Sequence, residues 1–331
     1  MHSPPLRRQS LYGDARGWYN ASATWEEVVT FMTMQPTENV AALLRPYVHR
    51  VEADLELWLA EPATPKALSE AMRYCVLGGG KRLRPALVFL SASAVGGDAM
   101  DEMTRRSAAA MEMVHCYSLV HDDLPAMDDD VLRRGRPTAH VQFGEAMAVL
   151  AGDALLTRAF AVLSAPASGG DARVGSLVAE LAFGAGEAGM IAGQVADMDL
   201  CDVPPGLDGL RYIHNRKTGT LIRAACRMGA LCGGAGRTQL DALDRYGEQL
   251  GLAFQLVDDI LDATGDRAVL GKTPGKDAQS GKRTYVSELG LEAARTLAQE
   301  ITAAAVTALE PLAPKAAGLA VLAKSLAGRT H

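Results

Sequence analysis

Five carboxylates fall within nine residues, at Asp122, Asp123, Asp128, Asp129 and Asp130, and three guanidiniums, Arg133, Arg134 and Arg136, fall within the next six. Apolar sequence precedes them. A solvated acidic surface mixes Glu with Asp and sits among Lys and Ser. Short Asp side chains behind an apolar helix suit a hard cation that takes oxygen ligands. The arginines suit a phosphate, because a guanidinium presents a planar fork of donors. A second cluster, Gln255, Asp258, Asp259 and Asp262, lies far down the chain in another apolar stretch. At about 100° per residue, Asp258 and Asp262 project within roughly 40° of each other on a helix, with Gln255 on the same side. Like charges at that spacing destabilise a helix unless a cation compensates them. Together the two clusters suggest a magnesium–diphosphate site.

Other polar groups are spaced to join them. Gly78, Gly79 and Gly80 free the backbone for close approach to a ligand. Lys81, Arg82 and Arg84 follow at once, ahead of an apolar helix over 86–95. They suit a diphosphate cradle or, alternatively, a basic C-cap on the helix before them. His115, Ser118 and Asp122 step by three and four on a helix over 101–123, so they share one face. His115 is then a ligand contact or a satisfied core histidine. Pro125 must bulge or stop that helix, which would bring Asp128 back toward Asp122. Gln194 and Asp197 share a face further on. Gly219 interrupts a helical pattern at about 1 kcal/mol relative to Ala, either as a kink that turns Lys217 and Thr218 inward or as a packing glycine. Lys272, Lys276 and Lys282 sit in a Gly-rich loop over 270–283, which reads as a phosphate-covering flap or as a solvated loop. It is not a P-loop, because GxxxxGK[ST] is absent and no strand precedes it.

The elements that must position these groups are helices. Apolar spacing begins near Glu38 and runs to Leu59, broken by Pro62 and Pro65, and Thr64 or Ser69 offers a cap for a helix over 66–77. Single helices are expected over 141–164 and 172–199, a linker over 202–206, and Ala- and Leu-rich helix over 286–328. No strand and no internal repeat is evident, so the fold class is all-α. Residues 1–33 are polar and irregular and read as a disordered arm or as sequence upstream of the true start, leaving 34–331 as one domain. The 331 residues are 48% hydrophobic and 22% charged, which is ample for a core. The net charge of −6 argues against a general nucleic-acid binder. Five cysteines without a CxxC pair read as reduced core residues of a cytoplasmic protein. No run of about 18 apolar residues is evident, so no membrane span is expected.

The chain resembles the head-to-tail, trans-type polyprenyl diphosphate synthases over about residues 40–290. The resemblance is carried by Gly79-Gly80-Lys81-Arg82-Leu83-Arg84-Pro85, by Asp122-Asp123-x4-Asp128 with Arg133-Arg134-Gly135, by Lys217-Thr218-Gly219, and by Phe254-Gln255-x2-Asp258-Asp259-x2-Asp262. The two-residue expansion of the first Asp motif is similar to the bacterial and plant branch, nearest to bacterial farnesyl diphosphate synthases. The resemblance implies an isoprenoid synthase fold, with helices around a deep cavity, and a homodimer. It implies three Mg²⁺ ions held by Asp122, Asp128 and Asp258, with Asp123 and Asp262 completing or orienting the set. Arg133, Lys217 and Lys272 are expected to grip an allylic diphosphate, and Lys81, Arg84, His115 and Arg134 to hold isopentenyl diphosphate. Lys282 is expected in the flap. Thr218 and Gln255 are expected to offer dipoles to a developing cation. Tyr117 and Ser118, five and four residues before the first Asp, are expected on the cavity floor, where an aromatic Tyr117 favours a fifteen-carbon product over a ten- or twenty-carbon one. A terpene cyclase would normally carry an Asn/Ser/Glu pattern in place of the second Asp motif. A non-catalytic partner subunit would be expected to have lost carboxylates or cations.

Overall fold

The computed structural model describes residues 36–165, 170–265 and 283–328. The opening arm, Lys272 and Lys282 lie outside the described residues. The chain runs through α1 (Pro36–Leu59), α2 (Lys66–Val76), α3 (Leu83–Ala94) and α4 (Glu102–Asp122). After a short ribbon come α5 (Ala139–Phe143), α6 (Glu145–Ser164), α7 (Val174–Ala185), α8 (Met190–Asp197) and α9 (Gly206–His214). A π-helical turn over Asn215–Gly219 leads into α10 (Thr220–Cys232) and α11 (Arg237–Thr264), and α12 (Tyr285–Leu289), α13 (Leu291–Ala308) and α14 (Ala317–Ala327) close the order.

The core forms around two helices that are apolar on most sides. α10 buries Leu221, Ile222, Ala225, Cys226 and Met228 against α3, α7 and α11. α4 buries Met103, Met111, Met113 and Val114 against α3 and α6. A helix apolar all round has to be interior, and each large side chain so buried contributes about 1.5–3 kcal/mol. The Asp101 side chain caps α4 by accepting from Met103 N at 3.2 Å. Asp54 of α1, fully buried, accepts from Arg105 Nε and from Arg50 Nε, both at 3.0 Å, and so fixes α1 to α4.

Several sequence expectations need correction. A strand pair is present after all: β1 (Leu132–Arg133) pairs antiparallel with β2 (Arg136–Pro137). Arg134 (φ 54°) and Gly135 (φ 74°) are both left-handed between them, as a tight primed hairpin turn requires. The helix expected over 141–164 is two, parted at Gly144, whose φ of 86° no helix accommodates. The helix expected over 172–199 ends at Ala185 and resumes at Met190. The 286–328 stretch is three helices, interrupted at Gly290 and again around Pro311 and Pro314. Neither Thr64 nor Ser69 caps α2, whose N-cap position is Pro65. Of the five cysteines Cys116, Cys226 and Cys232 are buried, whereas Cys201 is exposed. Finally, Glu145–Ser164 and the stretch Val174–Asp197, itself interrupted after Ala185, meet a membrane-span test of length and average composition that core helices also meet. A continuous-run criterion misses them because Asp153, Arg158 and Glu180 interrupt runs whose average remains apolar. The first lies along α4, with Ala151, Leu155 and Ala159 buried.

Candidate active site

α4 ends at Asp122, and the chain then turns on Pro125 so that Asp128 N donates to Asp122 O at 2.8 Å. Asp128 is thereby brought back against Asp122, as the proline position requires. Asp122 is half-buried, and its carboxyl is pushed up to about 6, first by burial and then by the charges of Asp128 and Asp123, with Lys217 and Arg133 opposing. The neighbouring Asp123 has the opposite environment. It is buried and accepts from Arg133 Nε at 2.8 Å on each oxygen and from Arg133 Nη2 at 2.5 Å. Asp130 lies 3.7 Å from the same Nη2. Asp123 therefore acts as a strut for Arg133 at the base of the ribbon.

The second motif repeats this division. Asp258 is exposed and Asp262 half-buried on α11, while Asp259 is buried. Asp259 Oδ2 accepts from Tyr285 N at 2.8 Å, and Oδ1 accepts from Gln255 Nε2 at 3.3 Å. Gln255 Oε1 in turn accepts from the Thr218 hydroxyl at 3.3 Å. This chain of contacts fixes the orientation of the Gln255 amide and joins α11 to the π-turn.

The π-turn is where α8, α9 and α11 converge. A Cβ on Gly251 would stand 2.7 Å from the Gly219 Cα, and one on Gly193 would stand 2.0 Å from Lys217 N. The helix is distorted at Gly219, but the glycines that close packing requires are Gly251 and Gly193: a Cβ on Gly219 itself would meet nothing nearer than 3.5 Å. Lys217 Nζ donates to Asp197 Oδ2 at 2.6 Å. Asp197 is a site neighbour that spacing alone left without a role, although its position three residues after Gln194 was a signal. The buried amide of Gln194 has no hydrogen-bond partner among the described residues.

The basic group lies on the other flank. Arg84 Nη1 sits 3.3 Å from His115 Nε2. Arginine only donates, so Nε2 is the acceptor and the imidazole is neutral. Burial, then Arg84, Arg134, Arg133 and Arg82, hold its pKa well below 6.5. Arg134, at the turn of the ribbon, donates to Gly79 O of the glycine loop, and Lys81 of that loop is exposed. Arg82 departs from its neighbours and turns inward, 2% exposed. Tyr117 is buried one turn below Asp122, edge-on to the His121 ring at 5.7 Å, and burial raises its phenol to about 12. Ser118 Oγ donates to His115 O at 2.9 Å, which turns the hydroxyl back onto its own helix.

Among the described residues no three His, Cys, Asp or Glu side chains form a preassembled cation site. The donor set nevertheless fits a hard divalent ion. Asp122 and Asp128 are oxygen donors on backbone segments bonded to each other, and burial, the main cause of the raised Asp122 carboxyl, disfavours a charge that a bound cation would restore.

A polyprenyl synthetase family model matches residues 65–311. The farnesyl diphosphate synthase of Escherichia coli (strain K12) is 52% identical over 248 residues, covering 74% of this chain and 82% of that protein. Geranylgeranyl pyrophosphate synthase 11, a chloroplastic protein of Arabidopsis thaliana, is 46% identical over 278 residues, covering 82% of this chain and 76% of that one. The apo crystal structure of an FPP/GFPP synthase from Zymomonas mobilis superimposes with a TM-score of 0.76 at 36% identity, covering 86% of this chain and 98% of that one. The helical bundle described above is therefore an isoprenoid synthase fold.

Proposed function

The chain belongs to the polyprenyl synthetase family, and within it we propose a magnesium-dependent farnesyl diphosphate synthase that adds isopentenyl diphosphate to dimethylallyl and then geranyl diphosphate. The observation that carries this reading is the division of labour in the two Asp motifs. In each, one carboxylate is buried as a strut (Asp123, Asp259) while others remain at the surface of the site (Asp122 and Asp128; Asp258 and Asp262). A purely structural bundle has no use for that arrangement.

Bound Mg²⁺, three ions in this reading, would be held by Asp122, Asp128, Asp258 and Asp262 and would neutralise diphosphate charge. Asp123 serves that set by orientation, through Arg133. Arg133 and Lys217 bind the allylic diphosphate, joined in this reading by Lys272 and Lys282. As the allylic C–O bond breaks, the leaving diphosphate gathers charge that these fixed cations already face, which is electrostatic preorganisation. The hydroxyl oxygen of Thr218 and the amide of Gln255 lie beside that group and offer dipoles to the allylic cation. Lys81, Arg84, His115 and Arg134 hold isopentenyl diphosphate, so that its double bond meets the cation before water does. No side chain is needed as the final base, because the departed diphosphate can accept the proton. Tyr117, packed under Asp122, stops chain growth at fifteen carbons.

We place the protein in the cytoplasm, as one domain over 34–331 acting as a homodimer. Val141, Val149, Leu150, Phe183 and Ile191, exposed on four successive helices, supply an apolar surface for a second copy. Replacing Asp258 by Ala tests the reading directly. Loss of one preorganised charge contact at a reacting group typically lowers kcat on the order of a hundred- to a thousandfold. That loss is expected here with the melting temperature unchanged. Turnover within threefold of the parent would remove the metal site.

A further inference from the structure

Arg82 stands between two residues assigned to the isopentenyl diphosphate pocket, yet it points away from them. Its backbone is left-handed (φ 48°, ψ 37°), a conformation that branched and long L-residues avoid. Its guanidinium is buried: Nη1 donates to Glu112 Oε1 at 2.7 Å and Nη2 to Val76 O at 2.8 Å. Glu112 is itself only 2% exposed. A buried ion pair is weak as a source of stability, because desolvation offsets attraction and an apolar pair often does as well. A strained backbone and a desolvated pair in the same place suggest that geometry, rather than stability, is being served.

The geometry concerned is one turn away. His115 follows Glu112 by three residues on α4, and Arg84 follows Arg82 by two at the start of α3. Arg84 Nη1 and His115 Nε2 meet at 3.3 Å. Two contacts thus join the same two segments side by side: a fully buried one from Arg82 to Glu112, and a part-buried one from Arg84 to His115. The buried contact also ties in the end of α2 through Val76 O, so it sets where the glycine loop leaves α2. Glu112 is in addition the principal opposing charge for Arg84, which otherwise faces the like charge of Arg134.

We propose that Arg82 is a positioning residue for the isopentenyl diphosphate pocket, its ion pair with Glu112 locking the 78–84 loop onto α4 in the register that brings Arg84 and His115 together. This inference rests on the function proposed above. Steady-state kinetics of the full chain, varying isopentenyl diphosphate and geranyl diphosphate separately, tests it. Arg82→Lys and Glu112→Gln are each expected to raise KM for isopentenyl diphosphate about tenfold, a change of about 1.4 kcal/mol. KM for geranyl diphosphate and kcat should stay within twofold. The paired change Arg82→Met with Glu112→Leu controls for folding. It is expected to keep or raise the melting temperature and still show the raised isopentenyl KM. Equal effects on both substrates, or parent KM values in the apolar pair, would overturn the proposal. A parent protein that does not condense the two diphosphates would instead refute the functional reading.

Discussion

His115 links a single proton to the stability of the whole chain. Its Nε2 accepts from Arg84, and burial with four neighbouring guanidiniums lowers its pKa well below 6.5. In the unfolded chain the ring titrates normally, so below pH 6.5 the unfolded state binds more protons and folding stability falls with pH. The contribution is fully present above pH 6.5 and is lost on acidification. Melting scans of the His115→Gln variant between pH 5 and 7 are expected to show a flatter pH dependence than the parent, and parallel curves would contradict the assignment. The carboxylates separate in a similar way. Asp259→Ala strands Tyr285 N and the Gln255 amide, and loss of a buried partner costs about 1–3 kcal/mol. Asp258 is exposed, and its removal should leave the melting temperature unchanged. Comparing the two variants by thermal unfolding checks this, and equal destabilisation would refute it. The sequence made all these aspartates visible but could not distinguish Asp122 from Asp123 or Asp258 from Asp259. Adjacent positions differ by one helical step, and which one faces inward depends on Arg133 and Tyr285, which arrive from other parts of the chain.

Among the elements, the π-turn is the one whose shape depends most on its neighbours. Gly251 of α11 and Gly193 of α8 let two helices approach closely enough to hold Lys217 and Thr218 in place. In Gly251→Ala the new methyl would meet Gly219, and overpacking of this kind costs about 1–3 kcal/mol. A melting temperature several degrees lower and a higher KM for geranyl diphosphate are expected together. A drop in stability with no change in that KM would show that the crossing does not position Lys217. Helix periodicity revealed these elements and the unusual glycine at 219. It did not reveal the breaks at Gly144 and after Ala185, because the apolar pattern continues across both. Nor did it reveal the Leu132–Pro137 ribbon, where two residues per strand leave no period to detect.

For the whole molecule, the fold class was legible in the helical apolar spacing, and the reaction class in the family resemblance that the two acidic and two basic motifs carry. A homodimer was expected from the resemblance alone, because the exposed apolar residues on α5–α8 look like core in one dimension. Light scattering after size exclusion is expected to give twice the 34.9 kDa chain mass. The Leu150→Glu, Phe183→Glu variant should run as a folded monomer, and an unchanged dimer would place the interface elsewhere. The most direct test of the central claim is the product itself. Purified protein with Mg²⁺, isopentenyl diphosphate and either dimethylallyl or geranyl diphosphate is expected to yield farnesyl diphosphate from both primers, resolved by mass spectrometry. A twenty-carbon end product would contradict the role given to Tyr117, and no condensation by the folded protein would contradict the account as a whole.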